Sequence, residues 1–510
     1  MSFISDGSLR AKHQQLLSCQ QVLGHVWGNG VTFHRQSLTT ILLMGIFVAV
    51  RIAIRADECL DGDEIFSLEV ARQSWIQLWQ AAANDVSHPP LFYAMLKLWI
   101  GLGGESLSWV RLLPALTAIA ALVPLWGLCT ACGLRREEKN LTLALMSLNG
   151  FVLFYSLQLR MYSLLLFTSL CSLWAFVSWL QAARNDWRAF WVLLIANILV
   201  IYSHYWGWML VGCQGLYLLA FVRSEVLKFS LITGMLLISY IPWFVAVVQG
   251  ASRIGSFTSQ IAWITPPVLA DAIWFFSGLL GRLPFRHTTL LGLALSGIPV
   301  MLWLWGSIRR RESGELLRLL MWFGILPVVL TFVLSLVLKQ SVWAERSLII
   351  CAVPYQMLIS IAACRLPGNT RYAVLMALFV WVMISGMYYL SEPHKLPWES
   401  LVTQIARAEP GAKAPVPIYT VEGYVTDPLR YFSAAQGMTN SLFIQQIDPQ
   451  KIAHINDLNC WIIYREFRGK VLLLDRHLEE VLDNERYRIV EVIHIDRGPV
   501  SIRAAFVTKR

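Results

Sequence analysis

The chain has 510 residues, of which 56% are hydrophobic and only 15% are charged. Because a soluble protein of this length carries more charge, the composition excludes an ordinary soluble enzyme. The formal net charge of +10 does not indicate nucleic-acid binding, because most of the basic excess lies in short loops between apolar runs, where it sets membrane topology. We therefore expect a lipid bilayer among the partners and no nucleic acid.

Residues 1–37 lack the short apolar core and cleavage site of a signal peptide, so we expect a cytoplasmic N-terminal segment. Apolar runs follow, many of them about 18–25 residues long, the length that crosses a hydrocarbon core of about 30 Å. Eleven spans are predicted. They lie near residues 38–56, 108–131, 140–157, 162–182, 188–204, 207–223, 228–249, 288–308, 317–338, 346–363 and 372–390.

The loops between these spans predict the orientation, because lysine and arginine accumulate on cytoplasmic loops. With eleven spans and a cytoplasmic N-terminus, six basic clusters all fall on the cytoplasmic side, and residues 391–510 fall outside. The clusters are Arg10/Lys12/Arg35, Arg135/Arg136/Lys139, Arg184/Arg188, Arg223/Lys228, Arg309/Arg310/Arg311/Arg318 and Arg365/Arg371.

The first outer loop of the 38–390 transmembrane domain, residues 57–107, is predicted to carry helices that lie on the membrane surface. Apolar residues recur at helical spacing over about residues 64–82. Residues 91–103 are too short to span the bilayer, and residues 267–281 in a later outer loop have the same character. We expect these three helices to cover the outer face of the bundle.

Residues 391–510 are charged and contain no run long enough to span a membrane, so they predict a small extracytoplasmic α/β domain. The absence of a glycine-rich phosphate loop argues against nucleotide binding there. The β-like runs are residues 417–421, 442–446, 461–464, 487–495 and 501–508, and the helix-like runs are residues 427–435 and 472–483.

Two adjacent acids, Asp63 and Glu64, follow the first span. One of them could act as a general base at the membrane surface, or both could be loop acids at the start of a helix, where negative charge is favourable. His88 precedes Pro89-Pro90. The two prolines either aim His88 into the acidic loop or simply begin the next helix.

Further basic and aromatic residues lie at the predicted outer ends of spans, on the same side as Asp63. A guanidinium group offers a planar pair of donors that matches a phosphate. The alternative is that these side chains only anchor helices at the membrane interface. The residues are Arg160, Tyr162, His204, Tyr205, Arg346 and Lys395.

The chain contains, in order, Asp63-Glu64, His88-Pro89-Pro90-Leu91 with Tyr93, Gly103…Arg111-Leu112, Tyr155-Ser156…Arg160-Met161-Tyr162-Ser163-Leu164, Tyr202-Ser203-His204-Tyr205, Arg346 with Pro354, and Lys395…Pro397-Trp398. This series, over about residues 38–400, resembles the protein O-mannosyltransferase-like family (glycosyltransferase family 39) of the GT-C superfold, to which lipid A aminoarabinose transferases are related. Members often carry a second acid where this chain has Leu157-Gln158-Leu159, and Arg-Tyr where it has Arg346-Ser347.

The resemblance implies a GT-C polytopic fold and an inverting transferase that moves a sugar from a polyprenyl-phosphate donor to a lipid, glycan or protein acceptor at the outer face. Asp63, with Glu64 beside it, would be catalytic. Cationic side chains would neutralise the departing phosphate, and tyrosine hydroxyls would hold phosphate or sugar. No cofactor is required, although a divalent cation near Asp63 stays open. The implied substrate-binding residues are His88, Arg160, Tyr162, His204, Tyr205, Arg346 and Lys395.

Two other classes of protein stay open at this point. A transporter or flippase of a lipid-linked glycan would place ionisable groups near the middle of its spans and show related halves. In this chain, the ionisable candidates lie at outer helix ends. A catalytically inactive lipid-glycan scaffold is the third alternative, because the second acid of the family is missing.

The predicted topology can be tested with reporter fusions at Gly133, Asn185 and Gly411. We expect cytoplasmic reporter activity at Gly133 and Asn185 and extracytoplasmic activity at Gly411, because the basic clusters hold their loops inside. A cytoplasmic reporter signal at Gly411 would contradict both the orientation and an outer active site.

Overall fold

The structure is a computed structural model. It describes residues 38–54, 59–183, 186–254, 264–281, 283, 288–310, 314–338, 340–391, 396–408, 415–448, 459–467, 470–471, 487–497 and 500–509. Three sequence predictions fall outside these residues. They are the N-terminal segment 1–37, the substrate-binding role of Lys395 and the helix-like run 472–483.

The membrane part is helical, and each of the eleven predicted spans coincides with one helix or with two successive helical segments. Two 3-10 segments, Arg223–Glu225 and Glu345–Cys351, precede α12 and α16. The helices are α1 (Leu38–Ile54), α2 (Gly62–Arg72), α3 (Trp75–Asp85), α4 (Leu91–Gly103), α5 (Leu107–Ala120), α6 (Leu122–Ala131), α7 (Arg136–Leu148), α8 (Gly150–Leu157), α9 (Tyr162–Gln181), α10 (Trp187–Ser203), α11 (Trp206–Phe221), α12 (Val226–Ile254), α13 (Leu269–Gly278), α14 (Thr288–Arg310), α15 (Glu315–Val337), α16 (Ala352–Cys364) and α17 (Gly368–Ser391).

Among the described residues, six helical segments are long and apolar enough to cross a membrane, and a seventh qualifies if the bent pair α7–α8 is one span. Four shorter apolar helices, within α1, α10, α11 and α14, coincide with the remaining predicted spans. The chain is therefore a multi-pass membrane protein. The six segments are Leu107–Ala131, Tyr162–Gln181, Arg223–Ser252, Glu315–Val337, Glu345–Cys364 and Gly368–Leu390.

Two spans form the centre of the bundle. The most apolar window of Glu345–Cys364 is 100% buried and that of Tyr162–Gln181 is 72% buried, whereas that of Arg223–Ser252 is only 22% buried. A helix that is apolar on all sides packs inside a bundle or against lipid, and burial assigns the first two to the inside. Both begin near predicted site residues. Tyr162–Gln181 starts two residues after Arg160, and Arg346 is the second residue of Glu345–Cys364.

The prediction of one continuous helix over residues 64–82 was wrong, because the chain breaks between α2 and α3. Ser74 caps α3 by accepting a hydrogen bond from the backbone N–H of Gln77, and the Gln77 side chain accepts one from the backbone N–H of Ser74. Such a reciprocal cap starts a new helix. The apolar spacing continues across the break and so does not reveal it.

The third span bends by 60° between α7 and α8. Asn149 caps α8 by accepting from the backbone N–H of Val152 at 3.0 Å, and its amide donates to the carbonyl of Leu279 at 2.7 Å. The buried Arg51 guanidinium donates to the carbonyls of Met146 and Ser147 at 3.1 and 3.3 Å. These carbonyls end α7 and lose their helical partners at the break.

The C-terminal residues form an α/β unit, which confirms that part of the predicted fold class. Its sheet has the order β2-β1-β3-β6-β5, with β4 paired to β3. The β1 pairings with β2 and β3 are parallel, and the other pairings are antiparallel. The elements are α18 (Trp398–Ala408), β1 (Val416–Thr420), α19 (Gly423–Ala435), β2 (Leu442–Gln446), β3 (Asn459–Phe467), β4 (Lys470–Val471), β5 (Tyr487–Arg497) and β6 (Val500–Lys509).

The α/β unit lies directly against α2, since α19 packs on that helix. The Cδ2 atom of Tyr424 lies 3.5 Å from the position that a Cβ on Gly62 would occupy. The Arg465 guanidinium carbon lies 4.3 Å from the centre of the Tyr424 ring, and Arg465 pairs with Glu422. The α/β unit therefore lies on the same side of the bundle as the first turn of α2, which carries Asp63.

We expect Arg51→Met to destabilise the protein, because it leaves the carbonyls that end α7 without donors in a buried site. A buried acceptor without a partner costs about 1–3 kcal/mol. The change should lower the apparent melting temperature in detergent. The matched control is Arg223→Met, which removes an exposed arginine from the 3-10 segment before α12. Equal melting temperatures for Arg51→Met and the parent protein would contradict this account of the bend.

Candidate active site

In the first turn of α2, the adjacent acids Asp63 and Glu64 have different environments. Asp61 caps the helix by accepting from the backbone N–H of Glu64 at 3.0 Å, and the Glu64 carboxylate accepts from the backbone N–H of Asp61 at 3.0 Å. Glu64 is fully buried, whereas the side chain of Asp63 is 48% exposed. The reciprocal cap therefore fixes Glu64 in the interior and leaves the Asp63 side chain half-exposed.

Glu64 ties together three separated parts of the chain. Arg111 on α5 donates to both of its carboxylate oxygens at 3.3 Å, and the backbone N–H of Leu159 donates to Oε1 at 2.7 Å. Arg111 also donates to the carbonyl of Cys59 at 2.8 Å. These bonds position α2 against α5 and the Arg160 loop. The prediction that Glu64 itself takes part in the chemistry stays a prediction.

Two guanidinium groups converge on Asp63. The Nη2 atom of Arg160 lies 3.9 Å and the Nη1 atom of Arg346 lies 3.7 Å from the same oxygen, Oδ2. Arg160 is anchored by donating to the Asp63 carbonyl at 3.0 Å and to the Ser67 hydroxyl at 3.2 Å. Arg160, followed by Arg346, lowers the pKa of the Asp63 carboxyl below its usual value, so this carboxyl is ionised near neutral pH.

His88 is neutral in this arrangement. Its Nδ1 atom lies 3.4 Å from Nη2 of Arg160, a group that can only donate, so Nδ1 accepts and the proton is on Nε2. Burial, then the charges of Arg160 and Arg346, lower the pKa of His88 well below its usual value. Asp85 Oδ2 lies 3.7 Å from the same Nδ1, but a neutral ring forms no ion pair with it.

His204 completes the same cluster from the end of α10. The backbone N–H of Trp206 donates to its Nδ1 at 3.1 Å, so Nε2 carries the proton and lies 3.4 Å from the Ser347 hydroxyl. The rings of His88 and His204 have centroids 5.3 Å apart. Burial, together with the charges of Arg346 and Arg160, lowers the pKa of His204 well below its usual value. His204 is therefore also a neutral hydrogen-bond donor.

Of the two predicted tyrosines, the structure places the Tyr162 ring beside this cluster. The Tyr162 ring centroid lies 6.3 Å from that of His204 and 5.9 Å from the guanidinium carbon of Arg346. Tyr205 follows His204 in the chain at the start of α11. Within the described part of the chain, neither buried hydroxyl makes a hydrogen bond of normal geometry. Both are chemically suited to donate to an oxygen-rich ligand.

Sequence reasoning missed Asp85, which the fold brings to the site from the end of α3. Burial raises its pKa, and the charge of Arg160 opposes that effect. Val86, the next residue, has φ +57°, a left-handed conformation that is costly for a β-branched side chain. This conformation turns the chain between Asp85 and His88. The signal in the sequence was an acid three residues before His88, in a chain that lacks the second acid of the family.

An apolar groove of about 320 Å³ lies next to the cluster, between α4, α5, α9 and α10. Leu91 and Leu164, which line it, stand three and two residues after His88 and Tyr162. The groove could take a hydrocarbon chain whose polar end reaches the arginines. It is lined by Leu91, Met95, Leu116, Thr117, Ala120, Leu164, Phe167, Thr168 and Leu199.

The described residues contain no group of three or more His, Cys, Asp or Glu side chains arranged to hold a metal ion. Asp63, Asp85 and His88 are neighbours of Arg160, whose positive charge disfavours a second cation at that point. A divalent cation near Asp63 stays a prediction that ligand binding must test.

No family model matches the sequence, and no curated protein is similar to it in sequence. Crystal structures of ArnT from Cupriavidus metallidurans, bound to undecaprenyl phosphate and in the apo state, are similar in structure. Each has a TM-score of 0.51 and 14% identity, over 91% of this chain and 97% of ArnT. The apo crystal structure of the Archaeoglobus fulgidus oligosaccharyltransferase has a TM-score of 0.50 and 11% identity, over 82% of this chain and 65% of that chain.

At sequence identities of 14% and 11%, the structural similarity shows a shared fold and nothing more. The chain has the GT-C membrane fold that the sequence resemblance predicted, with a helical membrane part followed by an α/β unit. The activity and substrates of this chain have to be argued from its own residues.

We expect Glu64→Ala to destabilise the protein, because Arg111 is left buried without its carboxylate. Removing one partner of a buried ion pair costs about 3–5 kcal/mol. The melting temperature in detergent should fall, and Arg111→Ala should lower it similarly. Glu64→Gln is the matched variant that keeps the side-chain shape. If Glu64→Gln kept the melting temperature of the parent protein but lost activity, Glu64 would act on substrate rather than on the fold.

Proposed function

We propose that this protein is an inverting membrane glycosyltransferase that takes a sugar from a polyprenyl-phosphate donor and transfers it to a hydroxyl group of an acceptor. The observation that carries the proposal is the convergence of Arg160 and Arg346 on the half-exposed carboxylate of Asp63. A carboxylate supplies a base, and two guanidinium groups supply a site for phosphate. The fold likeness to ArnT bound to undecaprenyl phosphate supports a polyprenyl-phosphate ligand.

In the proposed reaction, Asp63 accepts the proton of the acceptor hydroxyl while that oxygen attacks the anomeric carbon of the sugar. The bond between this carbon and the phosphate oxygen breaks, and the phosphate leaves with the electron pair. Arg160 and Arg346 stabilise the negative charge that grows on the leaving group. Attack opposite the phosphate inverts the anomeric centre.

The remaining residues have supporting roles in this proposal. His88 and His204 are neutral and offer N–H groups, and Tyr162 and Tyr205 offer hydroxyl groups to phosphate or sugar. The polyprenyl chain lies in the groove between α4, α5, α9 and α10. The six basic clusters favour an active site on the extracytoplasmic face of the cell membrane. We also retain Lys395 as a proposed phosphate ligand.

The transporter alternative has less support. Its binding groups would lie near the middle of the spans, often at broken helices. Asp63 and Arg160 instead lie outside the spans, and His204 and Arg346 lie at helix ends. The bend between α7 and α8 is filled by Arg51 and Asn149, which hydrogen-bond to protein groups.

The test is an assay of purified protein with radiolabelled polyprenyl-phosphate sugars, in which release of sugar and labelling of acceptors are measured. We expect Asp63→Asn to reduce transfer at least ~100-fold, the scale expected for loss of a general base. Its melting temperature should stay unchanged, because Asp63 is half-exposed. Retention of most activity by Asp63→Asn would contradict the assignment of the base.

The same assay has an expected pH dependence. The base acts as a carboxylate, and its pKa is lowered in the free protein, so kcat/KM should fall only when the pH drops below the usual carboxyl range. His88 and His204 also have lowered pKa values and should add no step near pH 6.5. A loss of kcat/KM between pH 7 and 6 would indicate a histidine as the base.

A further inference from the structure

Asp63 and the donor phosphate need the same two cations. Oδ2 of Asp63 lies 3.9 Å from Arg160 and 3.7 Å from Arg346. Both distances exceed those of ordinary charge-assisted hydrogen bonds, so the carboxylate is held by charge without being locked in place. A phosphate that enters the site brings negative oxygens to the same guanidinium groups.

The two arginines differ in how deeply their side chains are buried. The side chain of Arg160 is 5% exposed and also donates to the Asp63 carbonyl and the Ser67 hydroxyl. The side chain of Arg346 is 29% exposed and lies beside the Tyr162 ring. Because more of its side chain is exposed, Arg346 has more room than Arg160 to turn towards an incoming phosphate.

Among the described residues around Asp63, the other titratable groups do not replace the positive charge of Arg346. His88 and His204 are neutral, and Tyr162 carries no charge at neutral pH. Asp85, at the end of α3, adds negative charge near Arg160. The carboxylate that loses Arg346 is then left beside acids and an anionic ligand, which increases its affinity for a proton.

We propose, on the basis of the proposed function, that the donor phosphate activates the base by drawing Arg346 away from Asp63. Without donor, the paired carboxylate is a weak base. With donor bound, it is a stronger base next to the sugar that will be attacked. The coupling is reciprocal: if phosphate weakens the hold on the carboxylate, the carboxylate weakens the binding of phosphate.

This reciprocity gives a test that needs neither the sugar nor the acceptor. Binding of undecaprenyl phosphate to the purified full-length protein is measured at pH 8 in EDTA, with the parent protein and Asp63→Asn. Removal of the competing carboxylate should tighten binding about 3- to 10-fold, since two charges near 4 Å are coupled even in a partly solvated site. Unchanged affinity would overturn the proposal.

The matched control is Asp61→Asn. It removes one negative charge two residues away, and asparagine caps a helix as well as aspartate does. We expect less than about a twofold change in affinity, since the Asp61 carboxylate accepts from the backbone N–H of Glu64, whereas Asp63 lies within 4 Å of both arginines. If Asp61→Asn and Asp63→Asn tightened binding equally, the effect would come from removing any negative charge near the start of α2, and the proposal would be overturned.

A double-mutant cycle identifies the shared cation. In an Arg346→Gln background, Asp63→Asn should increase the affinity by less than about twofold, because one of the two contested guanidinium groups is gone. Melting temperatures of all variants show whether each is folded. If Asp63→Asn increased the affinity as much in the Arg346→Gln background as in the parent protein, Arg346 would not be the group that moves.

Two further results distinguish this proposal from alternative explanations. If Mg²⁺ tightened binding in the parent protein and Asp63→Asn weakened it, Asp63 would hold the phosphate through a metal ion, and the competition would be overturned. If the folded parent protein did not bind undecaprenyl phosphate, the proposed function and this inference would fail together. Binding without the gain from Asp63→Asn would overturn the inference alone.

Discussion

The candidate site depends on one buried ion pair, between Glu64 on α2 and Arg111 on α5. Through the backbone N–H of Leu159, the same carboxylate also holds the loop that carries Arg160. A buried carboxylate is stable only with such donors. The pair therefore sets where α2 meets α5 and the loop between α8 and the central span α9, and this junction positions Asp63 relative to Arg160.

Adjacent residues of α2 have opposite environments as a result. Glu64 is a buried acceptor for fixed protein donors, whereas Asp63 is half-exposed and lies 3.9 and 3.7 Å from two arginines. Successive residues of a helix point about 100° apart, so one turn can supply both a structural and a reactive carboxylate. In the proposed mechanism, this division lets the reactive carboxylate exchange partners without disturbing the helix that carries it.

In the membrane part, the bend between α7 and α8 also leaves backbone groups that need hydrogen-bond partners. Backbone groups inside a bilayer must find partners within the protein. Arg51 and Asn149 satisfy the groups that the bend exposes, and α8 can then lead directly into the loop of Arg160. On the other side of α2, Tyr424 packs on Gly62, so the α/β unit also borders the first turn that carries Asp63.

The sequence determined the elements because they follow from local patterns. Apolar length predicted eleven spans, and helices coincide with all of them. Short β-like runs between helix-like ones predicted the strands of the α/β unit, and the family resemblance carried by the ordered polar motifs implied the fold. The break at Ser74 was not recognised, because a cap depends on two side chains and leaves the apolar spacing intact.

The partners of the polar residues were decided by the tertiary structure. The sequence does not distinguish the environments of Asp63 and Glu64. Only packing buries Glu64 and leaves Asp63 half-exposed. Local patterns give no role to Arg111 or Asp85, since their charged partners, Glu64 and Arg160, come from segments tens of residues away. Coulomb energies and pKa values depend on distance and burial in three dimensions, and these quantities exist only once the spans have packed.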